Sequence, residues 1–197
     1  MNKLEGFFEL DKTGLPSVPW KKYDFGIPLD ENLLWTIRSA VLFGNDLNLP
    51  RKVGVPAEEA KRFADNLTVK INDNGMVVYY PYFIADKSGV MEVALNKVVI
   101  EAVKDDLWNL VTHNNKDVTV IYDNDVVTEL IGKKDFLDEA EISELLSYSY
   151  RVKKRFRDLL YEGKSIFLEW SYSFCSDINK NPIGERHLVF YEIRSVL

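Results

Sequence analysis

The sequence predicts an α+β domain, a mostly antiparallel sheet of hairpins packed with one long and one or two short helices. Three features carry that reading. Segments rich in β-branched and aromatic residues come in pairs around short polar turns: 67–72 with 76–85, 89–95 with 98–103, and 117–122 with 126–131. A stretch of helical character spans 138–161, acidic at its start and basic at its end. A last pair of strands, 165–174 and 186–196, flanks a polar loop over 176–184.

Taken in order, residues 1–30 form a turn-rich segment punctuated by Gly14, Pro16, Pro19, Gly26 and Pro28. The stretch 33–43 admits two readings. Asp30 could cap a helix there, whereas Trp35, Thr36, Ile37 and Val41 favour a buried strand. A loop with Gly44, Pro50, Gly54 and Pro56 follows, then a short helix over 57–66. The first hairpin turns at Asn74-Gly75, residues that tolerate the positive φ of a tight turn. The second turns at Asn96-Lys97 and the third at Asp123-Asn124-Asp125. The long helix opens with Asp138 near its N-cap and stops before Gly163. Its acids at 135–144 and its bases Arg151, Lys153, Lys154, Arg155 and Arg157 complement the helix dipole. That basic cluster therefore reads as a solvated helix end rather than an anion-docking patch.

Composition narrows the class. A chain of 197 residues, 46% apolar and 13% aromatic, suffices for one domain over 1–197 and argues against disorder. No apolar run approaches the ~20 residues of a membrane-spanning helix, and the first residues carry no signal-peptide pattern. Cys175 is the single cysteine, which excludes an internal disulfide and fits a reducing compartment. The expectation is a cytoplasmic chain that does not bind membranes. A net charge of −6 argues against nucleic acid as a partner. The aromatic run 79–83 reads as core or edge packing, with base stacking the other use. His113 and His187 read as ordinary structural or surface histidines, and Cys175 has no histidine nearby in sequence to activate it.

The final strand pair carries the candidate chemistry. By alternation, Ile166, Leu168, Trp170 and Tyr172 share an apolar face, opposite Phe167, Glu169 and Ser171. On the second strand Val189, Tyr191, Ile193 and Leu197 share a face, opposite Phe190, Glu192 and Arg194. If the apolar faces coincide, Trp170 and Tyr191 are buried together and Glu169, Glu192 and Arg194 gather on the other side. Two carboxylates beside an arginine could hold magnesium and the phosphates it bridges. They could equally form a cross-strand ion pair on a wet face.

These residues resemble a known family. Phosphoenolpyruvate synthases and pyruvate phosphate dikinases end their ATP-binding domain with a helix, a strand bearing D-x-E-W and a strand bearing Q-A-R. Here Phe167-Leu168-Glu169-Trp170 and Glu192-Ile193-Arg194 follow a helix in that order. The helix opening at 136–142 resembles the family's L-[ST]-D-E-E-[IV]. Upstream, 85–91 is similar to A-D-x-S-G-V-M, with a similar strand at 99–102, and Ile37-Arg38-Ser39-Ala40 with Asn45-Asp46 is similar to V-R-S-S-A followed by E-D. The resemblance covers 35–196 and implies an ATP-grasp-like lobe over 31–197. It also implies that Arg38, Glu169, Glu192 and Arg194 face nucleotide phosphates, with Glu169 and Glu192 as candidate magnesium ligands and Mg-ATP as the ligand.

The chain departs from the family pattern. There is no Gly-Gly-Lys segment, Phe167 stands in place of the aspartate, and Lys104-Asp105-Asp106-Leu107-Trp108 replaces a glycine-rich segment. No phosphohistidine motif or pyruvate site is present in the 197 residues. The expectation is a non-catalytic or accessory module that binds a nucleotide or other anion and performs no phosphotransfer alone. Two other roles stay open: a phosphotransferase subunit that completes its ATP site with a partner chain, and an interaction scaffold that forms a homo-oligomer or binds another protein.

Overall fold

The computed structural model describes residues 1–42, 49–108, 110, 115–124 and 126–196. It is α+β, with two antiparallel sheets and four helices among those residues. The chain opens with α1 (Lys3–Thr13), a helix inside the segment expected to be turn-rich. Asn2 and Glu5 form a reciprocal capping box, Leu4, Phe7 and Leu10 bury one stripe, and Gly14 ends the helix at φ +64°. The glycine that suggested a loop is thus the helix terminator.

A four-stranded sheet comes next, in the order β1-β4-β2-β3. Its strands are β1 (Lys21–Lys22), β2 (Leu34–Val41), β3 (Arg51–Pro56) and β4 (Gly75–Pro81). Within the ambiguous stretch 33–43, Leu34–Val41 is therefore a strand, and both of its faces are buried. Trp35 and Ile37 pack with Val77 and Tyr79 against α2 (Ala57–Ile71). Thr36, Arg38 and Ala40 point to the opposite side, where Ala40 meets Met76, Val78 and Tyr80.

α2 overturns the first expected hairpin. The helix continues through 67–71, because Leu67 extends the buried stripe of Ala57, Ala60 and Ala64. A single turn of 3-10 helix over Asn72–Asn74 then leads directly into β4. Gly75 is needed for a close approach rather than a turn. A Cβ there would collide with the Ala40 carbonyl on β2.

Tyr82 alone separates β4 from β5 (Phe83–Val93), and at this residue the chain passes from the first sheet to the second. The Tyr82 amide donates to the Leu34 carbonyl at 2.8 Å, so the crossing remains anchored to the first sheet. The six-stranded sheet runs β10-β9-β5-β6-β7-β8, with β6 (Lys97–Lys104), β7 (Val118–Asp123), β8 (Val126–Gly132), β9 (Ser165–Ser176) and β10 (Pro182–Val196). The expected hairpins β5/β6, β7/β8 and β9/β10 are all present. The last one turns in fewer residues than expected, with Asp177 accepting the Asn179 and Asn181 amides.

The long helix is two. Asp138 caps α3 (Glu139–Arg155) in a capping box with Glu141. The helix breaks at Phe156 (φ −109°, ψ 24°), whose ring is buried, and α4 (Arg157–Tyr161) completes the segment before Gly163 at φ +81°. α3 covers one face of the six-stranded sheet, burying Leu145 and Val152 against Met91, Ile100, Leu168 and Trp170. Part of the basic helix end is tied down. Arg155 pairs with Glu9 and Arg151 donates to the Gly14 carbonyl, both on the α1 side. The layers are thus α2, first sheet, second sheet and α3, with α1 against β10. No helix among the described residues is long and apolar enough to cross a membrane.

Trp170 is fully buried opposite Gly89, its register partner on β5. A methyl group at Gly89 would collide with the Trp170 ring and the Glu101 carbonyl. Gly89→Ala should therefore cost about 1–3 kcal/mol through overpacking. Urea denaturation compared with wild type measures it, and an unchanged midpoint would contradict this packing.

Candidate functional site

Strand alternation on β9 holds: Ile166, Leu168, Trp170 and Tyr172 face α3, and Glu169 faces the first sheet. On β10 it fails after Phe190. The register runs Phe190 to Trp170 and then Glu192 to Glu169, a β-bulge that places Tyr191 as the extra residue. Phe190 and Ile193 therefore share the Trp170 face, and Tyr191 turns to the Glu169 side instead of joining Trp170. Val189 and Tyr191 pack against the inter-sheet cluster, and Glu192 and Arg194 keep the side expected for them.

The bulge aims Glu192 at Arg38. Arg38 is 9% exposed, and its guanidinium donates to Glu192 Oε2 at 2.8 Å and to the Tyr191 carbonyl at 3.4 Å. Lys3 at the start of α1 lies 3.7 Å from the same carboxylate oxygen. Burial opposes the charge on Arg38, but the Tyr80 phenol and the Glu192 and Glu169 carboxylates outweigh it and raise its pKa above the ordinary value. The four expected residues thus meet in one electrostatic neighbourhood, but in unequal positions. Glu192 is sealed beneath α1 with Phe7 and Gly6. Arg194 stacks on the Phe167 ring, 4.7 Å from guanidinium carbon to ring centre, with its Nε buried and unpartnered. Arg38 and Glu169 face an open cleft.

That cleft, about 300 Å³, lies between the two sheets. Thr36, Arg38 and Tyr80 line it from the first sheet, Ser88, Glu169, Ser171 and Tyr191 from the second, and Tyr82 from the crossing between them. Arg51 of β3 and the stretch from Asp106 to Trp108 after β6 close the mouth. The Arg51 guanidinium sits 5.4 Å from the centre of the Trp108 ring, itself half exposed. A second hollow of about 240 Å³ adjoins it, sharing Arg38, Arg51 and Trp108 and adding Lys3 and Ser39. A larger open groove of about 650 Å³ runs between α1 and the α3–α4 break. Its bases are already paired with Glu9, whereas the inter-sheet cleft keeps Arg51, which no described carboxylate pairs, so the cleft is the stronger site.

Glu169 is the unsatisfied member. Among the described residues no hydrogen bond reaches its carboxylate, whereas Glu192 has both Arg38 and Lys3. Burial and the neighbouring Glu192 push its pKa up, and Arg38, Lys3 and Arg194 pull less strongly the other way. Tyr80 and Tyr191 are likewise held neutral by burial.

Glu169 and Glu192, the candidate magnesium ligands, stand opposite each other on adjacent strands. No group of three or more His, Cys, Asp or Glu side chains among the described residues could hold a metal ion. Magnesium wants six oxygen ligands in a near-octahedral shell, and Glu192 already spends its charge on Arg38 and Lys3. Cys175 is exposed and unpaired, and His187 lies in β10 against Phe83. Asn45, Asp46, His113 and Leu197 lie outside the described residues.

Of the residues lining the cleft, the sequence pointed to Arg38, Glu169 and the aromatic run holding Tyr82, but not to Lys3, Arg51, Asp106 or Trp108 as site residues. Lys3 was hidden by the turn-rich reading of the first thirty residues. A tryptophan in the polar stretch Lys104-Asp105-Asp106-Leu107-Trp108 is the sequence feature that could have marked the mouth. The chain matches no protein-family model, and no curated protein is significantly similar to it.

The raised pKa of Glu169 has a definite consequence for stability. Between its ordinary value of 4.5 and its displaced folded value, the native state holds more protons than the unfolded state. Stability therefore falls as pH rises through that window. Glu169→Gln should remove this fall and leave the protein more stable than wild type above it. Thermal melts across pH check this, and parallel curves for the two proteins would contradict the burial assigned to Glu169.

Proposed function

We propose that the chain is a non-catalytic or accessory binding module that takes a nucleotide or another anion into the cleft between its sheets. The observation that carries this is the convergence of Lys3, Arg38 and Arg51, from α1, β2 and β3, on one hollow beside an aromatic wall. Guanidinium groups grip phosphate and carboxylate oxygens in a fork, and aromatic faces accept a flat ring. Among the described residues Arg51 is paired with no carboxylate, so its charge is open to a ligand. The resemblance to ATP-binding domains of phosphoenolpyruvate synthases supports a nucleotide, since that family places ATP between two lobes. Any magnesium would enter with the ligand's phosphates, and Glu169 is the carboxylate with oxygens free to join it. The free, exposed Cys175 suits a reducing compartment and supports a cytoplasmic setting.

Two observations favour other roles. Arg38 and Glu169 both face the cleft, as a subunit completing an ATP site with a partner chain would need. The outer strand β8 exposes Val126, Val127 and Ile131, which suits a scaffold that pairs edges with a second copy or another protein.

The test is thermal melting with Mg-ATP, Mg-ADP and inorganic phosphate. A ligand at a hundred times its Kd stabilises the native state by about 2.7 kcal/mol, so at least one of these should raise Tm. Arg51→Ala should weaken that ligand roughly tenfold or more, the loss of a charge-assisted contact of about 1.5–3 kcal/mol. Arg194→Ala, outside the cleft lining, should leave the shift intact. Absence of any shift, or a shift that survives Arg51→Ala, would overturn the proposal.

A further inference from the structure

The cleft has two compartments, one basic and one that adds carboxylates and aromatic rings, and their junction narrows the class of ligand. The smaller one is lined by Lys3, Arg38, Ser39 and Arg51, with no carboxylate among its described residues. The larger one carries Glu169 and Asp106 amid Tyr80, Tyr82, Phe83 and Tyr191. Arg38, Arg51 and Trp108 belong to both, so a single molecule can reach from one to the other.

We propose that the ligand is a small zwitterion, its phosphate or carboxylate held at Arg51 in the basic compartment and its protonated amine at Glu169. This rests on the anion-binding reading above and narrows it. A simple anion fills only the smaller space. In the larger one, past Arg38 and Arg51 which it shares with the smaller, an anion would meet two carboxylates and the negative faces of several aromatic rings, which repel it. A protonated amine meets the reverse situation. Ring faces attract cations, most strongly where water is excluded, and the carboxylate among them lacks a donor.

The contrast between the paired carboxylates sharpens the argument. Glu192 and Glu169 are register partners on adjacent strands, yet Arg38 donates to Glu192 and no hydrogen bond reaches Glu169 among the described residues. Leaving a partly buried carboxylate without a protein donor is costly. Burial and Glu192 already disfavour its ionised form, which an incoming ammonium would restore. Glu169 is thus the acceptor that the rest of the cleft leaves open.

Isothermal titration of the full chain with phosphoethanolamine, ethyl phosphate and ethanolamine tests this, since the last two each lack one charged end. Phosphoethanolamine should bind at least tenfold tighter than either, and Glu169→Gln should reduce it to the level of ethyl phosphate without changing ethyl phosphate itself. The wild-type comparison is decisive even if the variant does not fold. Equal affinity for phosphoethanolamine and ethyl phosphate would overturn the zwitterion inference while leaving an anion site standing. Binding of none of the three would also overturn it, and the Mg-ATP melts would then judge the broader reading separately.

Discussion

A buried ion pair between Arg38 and Glu192 ties the two sheets together, and the cleft lies beside that tie. Arg38 comes from the middle of the four-stranded sheet and Glu192 from the edge strand of the six-stranded one. Removing both groups from water is expensive, and their attraction repays it only with good geometry and further hydrogen bonds. Here Arg38 adds a bond to the Tyr191 carbonyl, and Lys3 brings α1 to the same carboxylate. One glutamate therefore gathers a helix and two strands far apart in sequence. A second link between the sheets is covalent, the single residue Tyr82. Both Arg38 and Tyr82 line the cleft, so its walls are fixed by the contacts that hold the layers together.

Much of this architecture was legible because it is local. The hairpins β5/β6, β7/β8 and β9/β10 follow from paired apolar runs, and Asp138 marks the start of α3. The face occupied by Trp170 follows from alternation along β9. The failures came where a non-local contact decided the outcome. Asn74-Gly75 has the chemistry of a tight turn, but Leu67 extends the buried stripe of α2 and Gly75 is required by the proximity of β2. α1 was obscured by glycines and prolines, although Asn2 and Glu5 already hold its capping box. The bulge at Tyr191 leaves no mark in a pattern of alternating residues, and it moves a tyrosine from one face of the sheet to the other.

The candidate site divides in the same way. Glu169 sits on a regular strand, so alternation predicted its direction, whereas Arg38 was named only through the family resemblance. Lys3, Arg51 and Trp108 reach the cleft from three separate elements, and only the packing of the layers brings them together. Two of the quoted motifs also prove to be partners in space. Gly89, in the stretch 85–91, makes the room that Trp170, beside Glu169, fills. That pairing keeps Glu169 on the cleft side by locking its neighbour into the core, so a packing constraint on one face of β9 sets the chemistry of the other.

The central claim is that Arg38 and Glu192 form a coupled, buried pair on which the layered arrangement depends. A double-mutant cycle with Arg38→Met and Glu192→Gln, followed by urea denaturation at neutral pH, measures that coupling directly. Each single change should cost about 3–5 kcal/mol by stranding a buried charge, and the double variant should lose clearly less than the sum. Additive losses below about 1 kcal/mol each, as for an exposed ion pair, would contradict the account.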